Sequence, residues 1–489
     1  MTITRRQFIQ AAGVGAGLGV LSKAGFAFHD HPNIGGPTYG EIRNMRVLGY
    51  TNLSGNDGGG YDIPGGDSRA LDPNSNLPWD RVAEFRVRRG YAIASQYQGW
   101  SIVDVRDPSN MRVVWRYQNE PAPNNTQYIE ASRDGNLVVQ KQNDALKMWD
   151  ISNKSNPVLL SSFTPDDLEE SYHGLWLHED DRGRFAMAAV HLEGYTDQIL
   201  QIVDITDPTA PREISRYHYP GMWTAGGETP TWPMIDERNN RVQAHDLTTF
   251  ADRAYVAWRD KGIVILDISN MARPVKVGEV NWSDLSRPDF PALPGETHSV
   301  GIVLDHVQRN GRAGTIVVPD ELGACPYGYM HFLDVRDESR PREISGYRNP
   351  LSMHANCPLE GEEPSRAGRR FGTHDVERMI RDKVVWSAWE EGGFWGVDFR
   401  RIHYPRWVGY FLPPVRSDSP PESQSGHADD VFVTREGIIF GSSSDPGAGG
   451  LWAMRYDRGR RGTMVWNADE TDVTFQSDRN NDNNDDDDN

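Results

Sequence analysis

A short apolar run ending in an acidic residue recurs six times along the chain, each time followed by a turn and a further strand-like run. The copies stand roughly 45 to 70 residues apart, at residues 99–104, 146–150, 200–204, 263–267, 330–334 and 394–398. A seventh, degenerate copy covers residues 451–456. Repeats of this length made of short strands are typical of propeller blades. The pattern therefore predicts an all-β fold, a seven-bladed β-propeller of four-stranded antiparallel blades.

Each repeat divides into four strands, most clearly in the fourth repeat, at residues 244–248, 253–258, 262–268 and 275–280. The turn after the third strand repeats an Asp or Asn followed by Pro, as in Asp107-Pro108 and Asp207-Pro208. Asp and Asn bond their own backbone in turns, and Pro removes a donor at a strand boundary. Residues 44–50 resemble a fourth strand without a third before it, so we expect them to pair with the last blade and close the ring.

The repeated apolar run, Val-Asp pair and Pro-containing turn resemble those of the LVIVD-repeat proteins of bacteria and archaea. The resemblance extends over about residues 42–470, whereas the copy at Met454-Arg455 and the insertions in repeats three to six depart from it. It implies a propeller fold. It implies no particular activity, because that family is mostly uncharacterised.

The two ends of the chain differ from the repeats. Residues 4–9, Thr-Arg-Arg-Gln-Phe-Ile, precede a Gly- and Ala-rich apolar run and resemble a twin-arginine export signal. The apolar run is too short for a comfortable membrane span. We therefore expect a signal peptide at 1–27, an N-terminal arm at 28–41, the propeller at 42–470 and a disordered Asp/Asn-rich tail at 471–489. The mature protein is expected to be periplasmic, extracellular or at the cell surface, without a stable membrane span.

Charge and motifs exclude two classes of function. The 489-residue chain has a formal net charge of −19, which repels phosphate backbones and argues against nucleic acid as a partner. The sequence contains no Gly-x-Ser-x-Gly, His-Glu-x-x-His or phosphate-loop motif, so a nucleophilic hydrolase has no support.

Histidines occupy one repeated position, the start of the first strand in five consecutive repeats. These are His173, His245, His298, His374 and His427, while Gln127 lies near this position in repeat two. Acidic residues stand at the end of the second strand in the same repeats: Glu193, Asp260, Asp320, Glu321, Glu390, Glu391 and Asp445. In an antiparallel blade these two positions share one face, and the first strand lines the axis. The sequence therefore predicts imidazoles and carboxylates around a central funnel.

Two interpretations of the five histidines remain open. Imidazoles with acidic neighbours suit a transition metal such as Fe, Mn, Cu or Zn, with Asp320, Glu390 or Glu391 as a catalytic base. A purely structural role is the other interpretation, because a residue recurs from blade to blade simply when the blades are repeats.

Four further residues lie in connections between strands, and those of the two cysteines belong to the histidine face. Cys325 and Cys357 belong to adjacent blades, and export favours a disulfide between them over free thiols or a metal thiolate. Trp223 and Trp232 lie in a Gly- and Pro-rich insertion and are candidate walls of a ligand site.

Two functions are consistent with these features. The first is an extracytoplasmic binding or scaffold module that presents the histidine face to a small molecule, polymer or protein. The alternative is a metal-dependent oxidoreductase or lyase with a multi-histidine centre at the axis.

Overall fold

The computed structural model describes most of the repeat region. The described residues are 40–53, 82–96, 99–119, 126–232, 242–282, 295–322, 328–352, 371–413, 427–444, 449–457, 463–466 and 473–476. The predicted signal peptide, all of the arm before residue 40, Cys325, Cys357, Asp445 and residues 477–489 lie outside them. No helix in the described part of the chain is long and apolar enough to cross a membrane.

Short β-strands make up the described architecture, and they group into seven blades around an axis. The first two strands are β1 (Glu41–Arg43) and β2 (Met45–Thr51). Blade 1 contains β3 (Val82–Arg88), β4 (Tyr91–Gln96), β5 (Gly99–Asp104) and β6 (Arg112–Gln118). Blade 2 contains β7 (Ile129–Ala131), β8 (Leu137–Gln142), β9 (Ala145–Asp150) and β10 (Val158–Phe163). Blade 3 contains β11 (Leu168–Asp180), β12 (Gly183–Leu192), β13 (Ile199–Asp204) and β14 (Arg212–Tyr217).

The remaining blades follow the same antiparallel order. Blade 4 contains β15 (Leu247–Phe250), β16 (Arg253–Ala257), β17 (Ile263–Asp267) and β18 (Val275–Val280). Blade 5 contains β19 (Gly301–Val303), β20 (Thr315–Pro319), β21 (Met330–Asp334) and β22 (Arg342–Tyr347), with β23 (Met379–Ile380) parallel to β19. Blade 6 contains β24 (Val384–Trp389), β25 (Gly393–Asp398) and β26 (Arg406–Phe411), and blade 7 contains β27 (Ala428–Val433), β28 (Ile438–Ser443) and β29 (Gly450–Tyr456). Two more strands, β30 (Thr463–Trp466) and β31 (Val473–Gln476), follow.

Only short 3₁₀ turns accompany the strands in the described residues, at Thr224–Gly226, Leu304–His306, Pro350–Ser352 and Glu390–Gly392. The innermost segment of blade 6 is extended rather than a named strand, with a bridge between Val376 and Ser387. The seven-bladed all-β propeller predicted from the repeats is confirmed.

The N-terminal strand closes the ring as the sequence predicts. Strand β2 pairs antiparallel with β29, placing Tyr50 opposite Trp452, and so supplies the fourth strand of blade 7. Strand β1 instead pairs with β26 and with β30, which extends the sheet of blade 6 outward. Strand β31 pairs with β30 and lies within residues 471–489, for which the sequence predicts no fixed structure.

The acidic residue that ends the third strand of blades 1 to 6 forms a turn by accepting the backbone N–H two residues ahead. Asp104 Oδ1 accepts the backbone N–H of Arg106, and Asp204 Oδ1 accepts that of Thr206. Asp150, Asp267, Asp334 and Asp398 bond the residue two positions ahead in the same way. The recurrent Asp is therefore the turn-forming residue that its position in the sequence indicates.

Each of the seven outer strands contains a β-bulge at an equivalent position. A small residue follows the bulge in six of them: Gly49, Ser161, Ser215, Gly278, Ser345 and Gly409. Ser161 Oγ donates to the carbonyl of Pro208 in the next blade, and Ser215 Oγ donates to that of Met271, both at 2.6 Å. The bulge thus docks one blade on the turn of the next.

Candidate functional site

The five repeated histidines lie on the innermost segments of blades 3 to 7. His173 is within β11, and the other four stand just before or between inner strands. His245 and His374 share one register, since the backbone N–H of His245 bonds the carbonyl of Ala257 and that of His374 bonds the carbonyl of Ala388. The repeat therefore places these imidazoles at the same depth around the axis.

The five imidazoles form a continuous arc. Their ring centroids lie 4.4 Å apart between His173 and His245, 4.4 Å between His245 and His298, and 4.0 Å between His298 and His374. His427 follows at 6.2 Å from His374. The middle of the arc is buried, with His298 only 1% exposed, whereas His173 is half-buried and the side chain of His427 is 23% exposed. The arc can therefore be reached at its two ends.

Backbone carbonyls fix the orientation of two of the rings. Nδ1 of His245 donates to the carbonyl oxygen of His298 at 3.1 Å, and Nδ1 of His374 donates to that of Asp429 at 2.7 Å. A ring nitrogen that donates to a carbonyl carries the proton, so Nε2 of neutral His245 keeps its lone pair. Nε2 of His245 lies 2.6 Å from Nε2 of His173, which then acts as the donor of that pair.

Three of the five imidazoles are held neutral. Burial keeps the pKa of His173 and His245 well below the ordinary value, and the positive charge of Arg259 lowers both further. Burial also lowers the pKa of His298 to about 4, and positive charge on His374 adds to this shift. At neutral pH these three rings therefore present lone pairs rather than positive charge.

The other two imidazoles are held protonated by carboxylates. Burial alone would lower the pKa of His374, but attraction to Asp375 and Glu321 outweighs it and raises the pKa to about 10. For His427 the penalty of burial is outweighed by Asp429, whose Oδ1 lies 3.4 Å from Nε2 and raises the pKa. The arc thus combines a neutral half, from blades 3 to 5, with a half that favours the charged form, from blades 6 and 7.

The acidic residues predicted at the ends of the second strands fall into different surroundings. Glu321 is buried beside the arc, where Oε2 lies 3.8 Å from Nε2 of His298 and also bonds the guanidinium of Arg259. Asp320 Oδ1 accepts the backbone N–H groups of Glu296 and Leu322, so this carboxylate faces blade 5. Only Glu321 of these two adjacent residues therefore lies against an axial imidazole.

Glu390 and Glu391 are also buried, in the 3₁₀ turn that follows β24. Glu390 is close enough to His427 for its charge to raise the pKa of that imidazole, after the larger effects of burial and Asp429. Glu390 therefore belongs to the protonated half of the arc.

A second layer of charged residues lies next to the arc. Its first centre is Arg86 of blade 1, which bonds Glu130 of blade 2 at 2.7 Å and Asp430 of blade 7 at 2.9 Å. Glu84 completes this group at 3.1 Å. All four side chains are buried. Arg86 therefore ties together three blades on both sides of the ring closure.

The second centre of this layer is Arg378 of blade 6. Its Nη2 bonds Asp246 of blade 4, lies 3.0 Å from Oδ1 of Asp375 and 3.7 Å from Glu84. Asp246 and Asp375 directly follow the axial His245 and His374 in sequence. Burial and repulsion between the carboxylates raise the pKa of Asp246 to about 6, despite the opposing effect of Arg378. We call the groups around Arg86 and Arg378 the ionic hub.

Blade 2 contributes an aromatic ring to the arc in place of an imidazole. Gln127 has the register of the repeated histidine, because the backbone N–H of Lys141 bonds the carbonyl of the next residue, Tyr128. It is the ring of Tyr128, however, that lies 5.2 Å from His173 and 6.4 Å from His245. In the sequence, this contact is indicated only by the aromatic residue Tyr128 next to Gln127.

The two tryptophans predicted as ligand walls lie in the insertion after blade 3. Trp223 is 43% exposed and its ring lies 6.2 Å from that of His218. Trp232 packs on Tyr219, at 6.4 Å between ring centroids, and under the ammonium of Lys261 at 5.8 Å. Within the described residues neither indole makes a ring contact with an axial imidazole.

Sequence reasoning missed the two arginines of the ionic hub. The available signal was the presence of Glu84, Arg86, Glu130 and Arg378 within otherwise apolar inner segments, where charged residues are buried only when they are paired. The partners themselves come from different blades and share no sequence spacing.

The LVIVD repeat model matches this chain over residues 86–119, 137–164, 194–218 and 243–281. These stretches fall in the first four blades and the start of the following connection. Among curated proteins, none matches the sequence significantly.

Solved structures with the same fold have very different sequences. One is described as the structure of U3-55K, with a TM-score of 0.51 and 8% identity over 84% of this chain and 98% of that chain. A second, of RRP9 WD40 repeats, has a TM-score of 0.51 and 8% identity over 85% and 99%. A third is the Myceliophteria thermophila Cps50 (Swd1) β-propeller domain, with a TM-score of 0.50 and 12% identity over 76% and 96%. At these identities the likeness concerns the fold alone. The chain is thus a seven-bladed β-propeller that contains LVIVD repeats.

Proposed function

We propose that the protein is an exported binding module that holds a ligand at the histidine arc of its axis. The observation that supports this function is the contact between imidazoles of consecutive blades, with centroids 4.0 to 4.4 Å apart from His173 to His374. Packing alone needs no such set, because apolar side chains fill the interior of a propeller at lower cost. Five convergent polar rings with accessible ends are what a small ligand requires.

The surroundings of the predicted bases favour binding over the metal-dependent oxidoreductase or lyase. Oδ1 of Asp320 is engaged by two backbone N–H groups, and Oδ2 lies 3.8 Å from His331, outside the arc. Glu390 acts on His427 through its charge. These surroundings favour a supporting role for both carboxylates over a catalytic one.

Export supports the same proposal. The twin-arginine pattern at residues 4–9 would carry a folded protein out of the cytoplasm, where a binding module can meet ligands of the cell envelope. Replacing Arg5 and Arg6 by Lys is expected to leave the protein in the cytoplasmic fraction of its host. Unchanged export of that variant would contradict this part of the proposal.

Native mass spectrometry of protein purified from the exported fraction tests ligand binding. We expect the native mass of the wild type to exceed its denatured mass by a bound ligand. This excess should be lost in His173→Ala, at the accessible end of the arc, and kept in His403→Ala, which alters an exposed histidine outside it. Equal native and denatured masses of the wild type, before and after incubation with an extract of its host, would contradict the proposed function.

A further inference from the structure

Three clusters of buried side chains could hold a metal ion, and their hydrogen bonds distinguish them. They are His245, His298 and Glu321; His298, His374 and Asp375; and Glu84, Asp246 and Asp375. In each cluster one donor atom from every residue lies within 4.8 Å of the others. A metal competes with any proton or cation that already uses the lone pairs of its ligands.

The cluster made only of carboxylates is already filled by a cation. Nη2 of Arg378 bonds Asp246 and lies 3.0 Å from Asp375 and 3.7 Å from Glu84. The guanidinium therefore occupies the place that an ion would take, and this cluster is part of the ionic hub.

In the cluster of His298, His374 and Asp375, two of the three possible metal ligands are already engaged. Nδ1 of His374, which faces Oδ2 of Asp375 at 3.5 Å, carries a proton because it donates to the carbonyl of Asp429 at 2.7 Å. Asp375 is in turn paired with Arg378. Metal binding here would break a buried hydrogen bond and compete with an ion pair. Together these losses would cost about several kcal/mol.

The remaining cluster has the arrangement that metal-binding histidines use. The backbone carbonyl of His298 holds Nδ1 of His245, which fixes the tautomer with a lone pair on Nε2. Nε2 of His298 lies 3.8 Å from a carboxylate oxygen of Glu321. His173, from the preceding blade, has its Nε2 2.6 Å from that of His245. A metal bound by both nitrogens would replace the proton that His173 donates, and neutral His173 would then carry its proton on Nδ1.

His298 is oriented in the same way. Its side chain is 1% exposed, and Nδ1 faces Oδ1 of Asp375 at 3.6 Å, which favours a proton on Nδ1 and leaves the lone pair on Nε2. Nε2 is the nitrogen that faces Glu321, so one ion can bind both groups.

We propose that His173, His245, His298 and Glu321 bind one divalent first-row transition-metal ion at the propeller axis. The proposal rests on the proposed binding function and names its ligand. Neutral imidazole with one carboxylate suits Zn²⁺, Co²⁺, Cu²⁺ or Fe²⁺ rather than Ca²⁺ or Mg²⁺. Bonds of about 2.0–2.2 Å in a tetrahedral site put the donor atoms roughly 3.3–3.6 Å apart. Nε2 of His173 and Nε2 of His245 would therefore separate on binding, and Glu321 would move closer to His298.

One residue outside the cluster acts on this site. Arg259 bonds Oε2 of Glu321, so it positions the carboxylate and also opposes a second positive charge nearby. The imidazoles are therefore the principal ligands, and Glu321 contributes its charge and one oxygen.

Titration with Co²⁺ alone tests the inference. Wild-type mature protein is freed of metal with a chelator and titrated while the visible ligand-field absorption of Co²⁺ is recorded. We expect saturation at about one ion per chain. Affinity should fall by about tenfold or more in His298→Gln and in His173→Ala, and stay unchanged in His403→Ala.

His298→Gln keeps a polar group in the buried position, and His173→Ala changes only a half-buried residue. We therefore expect at least one of the two variants to fold. Absence of Co²⁺ absorption in the wild type, or wild-type affinity for Co²⁺ in the folded variants, would overturn the metal site. An organic ligand seen by native mass spectrometry without Co²⁺ binding would leave the binding module intact and remove only this inference.

Discussion

His331 shows how this protein changes the chemistry of a single buried side chain. Its ring stacks on Trp282, at 4.5 Å between centroids, and on Tyr329 at 4.0 Å. Nδ1 lies 2.9 Å from Oε1 of Glu343, and Nε2 lies 3.8 Å from Oδ2 of Asp320. Burial alone would lower the pKa of His331, but the two carboxylates raise it to about 9. The imidazolium is therefore part of the native core of blade 5.

Stability should consequently depend on pH through His331. The folded pKa lies above the unfolded value of about 6.5, so the stabilisation is complete below that pH and is lost as the pH rises through 9. We expect the free energy of unfolding to fall by about 3 kcal/mol across this window. Urea denaturation at several pH values measures it in the wild type and in His331→Gln, which does not titrate. The same pH slope in both proteins would show that His331 is not the group responsible.

Among the axial residues, position in the repeat determines where a side chain lies and the neighbours determine its charge. His298 and His374 occupy equivalent positions in adjacent blades, yet their pKa values are about 4 and about 10. Asp375 raises the pKa of both rings. The difference follows from Asp429, which acts on His374, and from the positive charge of His374, which lowers the pKa of His298. The sequence therefore predicted the arc but not its division into a neutral and a protonated half, because that division depends on contacts between blades.

At the scale of the strand, the β-bulge explains why a small residue usually follows it in the outer strand of each blade. A Cβ atom on Gly278 would stand 1.6 Å from the carbonyl oxygen of Glu338 in the next blade, and one on Gly49 would stand 1.9 Å from that of Pro108. In other blades a serine at this position donates its hydroxyl to the equivalent carbonyl of the next blade. Six of the seven outer strands therefore carry either no side chain or one small hydroxyl side chain at this position, whereas β6 carries Trp115 there.

Gly278→Ala is expected to destabilise the propeller by about 3 kcal/mol, because the added methyl group meets backbone that cannot rotate away. Val275→Ala in the same strand is the matched control, since Val275 is 51% exposed and its change should cost less than about 0.5 kcal/mol. Chemical denaturation of the three proteins measures both differences. If the two variants were equally stable, the close approach to Glu338 would have no energetic role.

The third strands were predicted almost to the residue, and the sheet extensions were not. Strands β5, β17 and β21 have the predicted bounds because an apolar run and an Asx turn are local signals. Strand β1 pairs with β26 and β30, and strand β23 runs parallel to β19. Those pairings join residues far apart in the chain and outside the repeat, so no local pattern encodes them.

At the scale of the whole molecule, ring closure joins the two ends of the repeat array. Strand β2 completes blade 7, and Gly49 in it docks on the turn of blade 1 at Pro108. Arg86 of blade 1 bonds Asp430 of blade 7 across the same boundary. The axis is thus held by β-pairing at the rim and by buried charge at the centre, which keeps the imidazoles of five blades at fixed distances.

The ligand proposed for this arc is one transition-metal ion. The most direct measurement is anomalous diffraction above and below the zinc edge, from crystals of the mature protein grown with Zn²⁺. We predict one anomalous peak on the axis, about 2.0–2.2 Å from Nε2 of both His245 and His298, and no such peak in crystals of His298→Gln. Wild-type crystals without an axial peak, or with zinc only at surface carboxylates, would contradict the account.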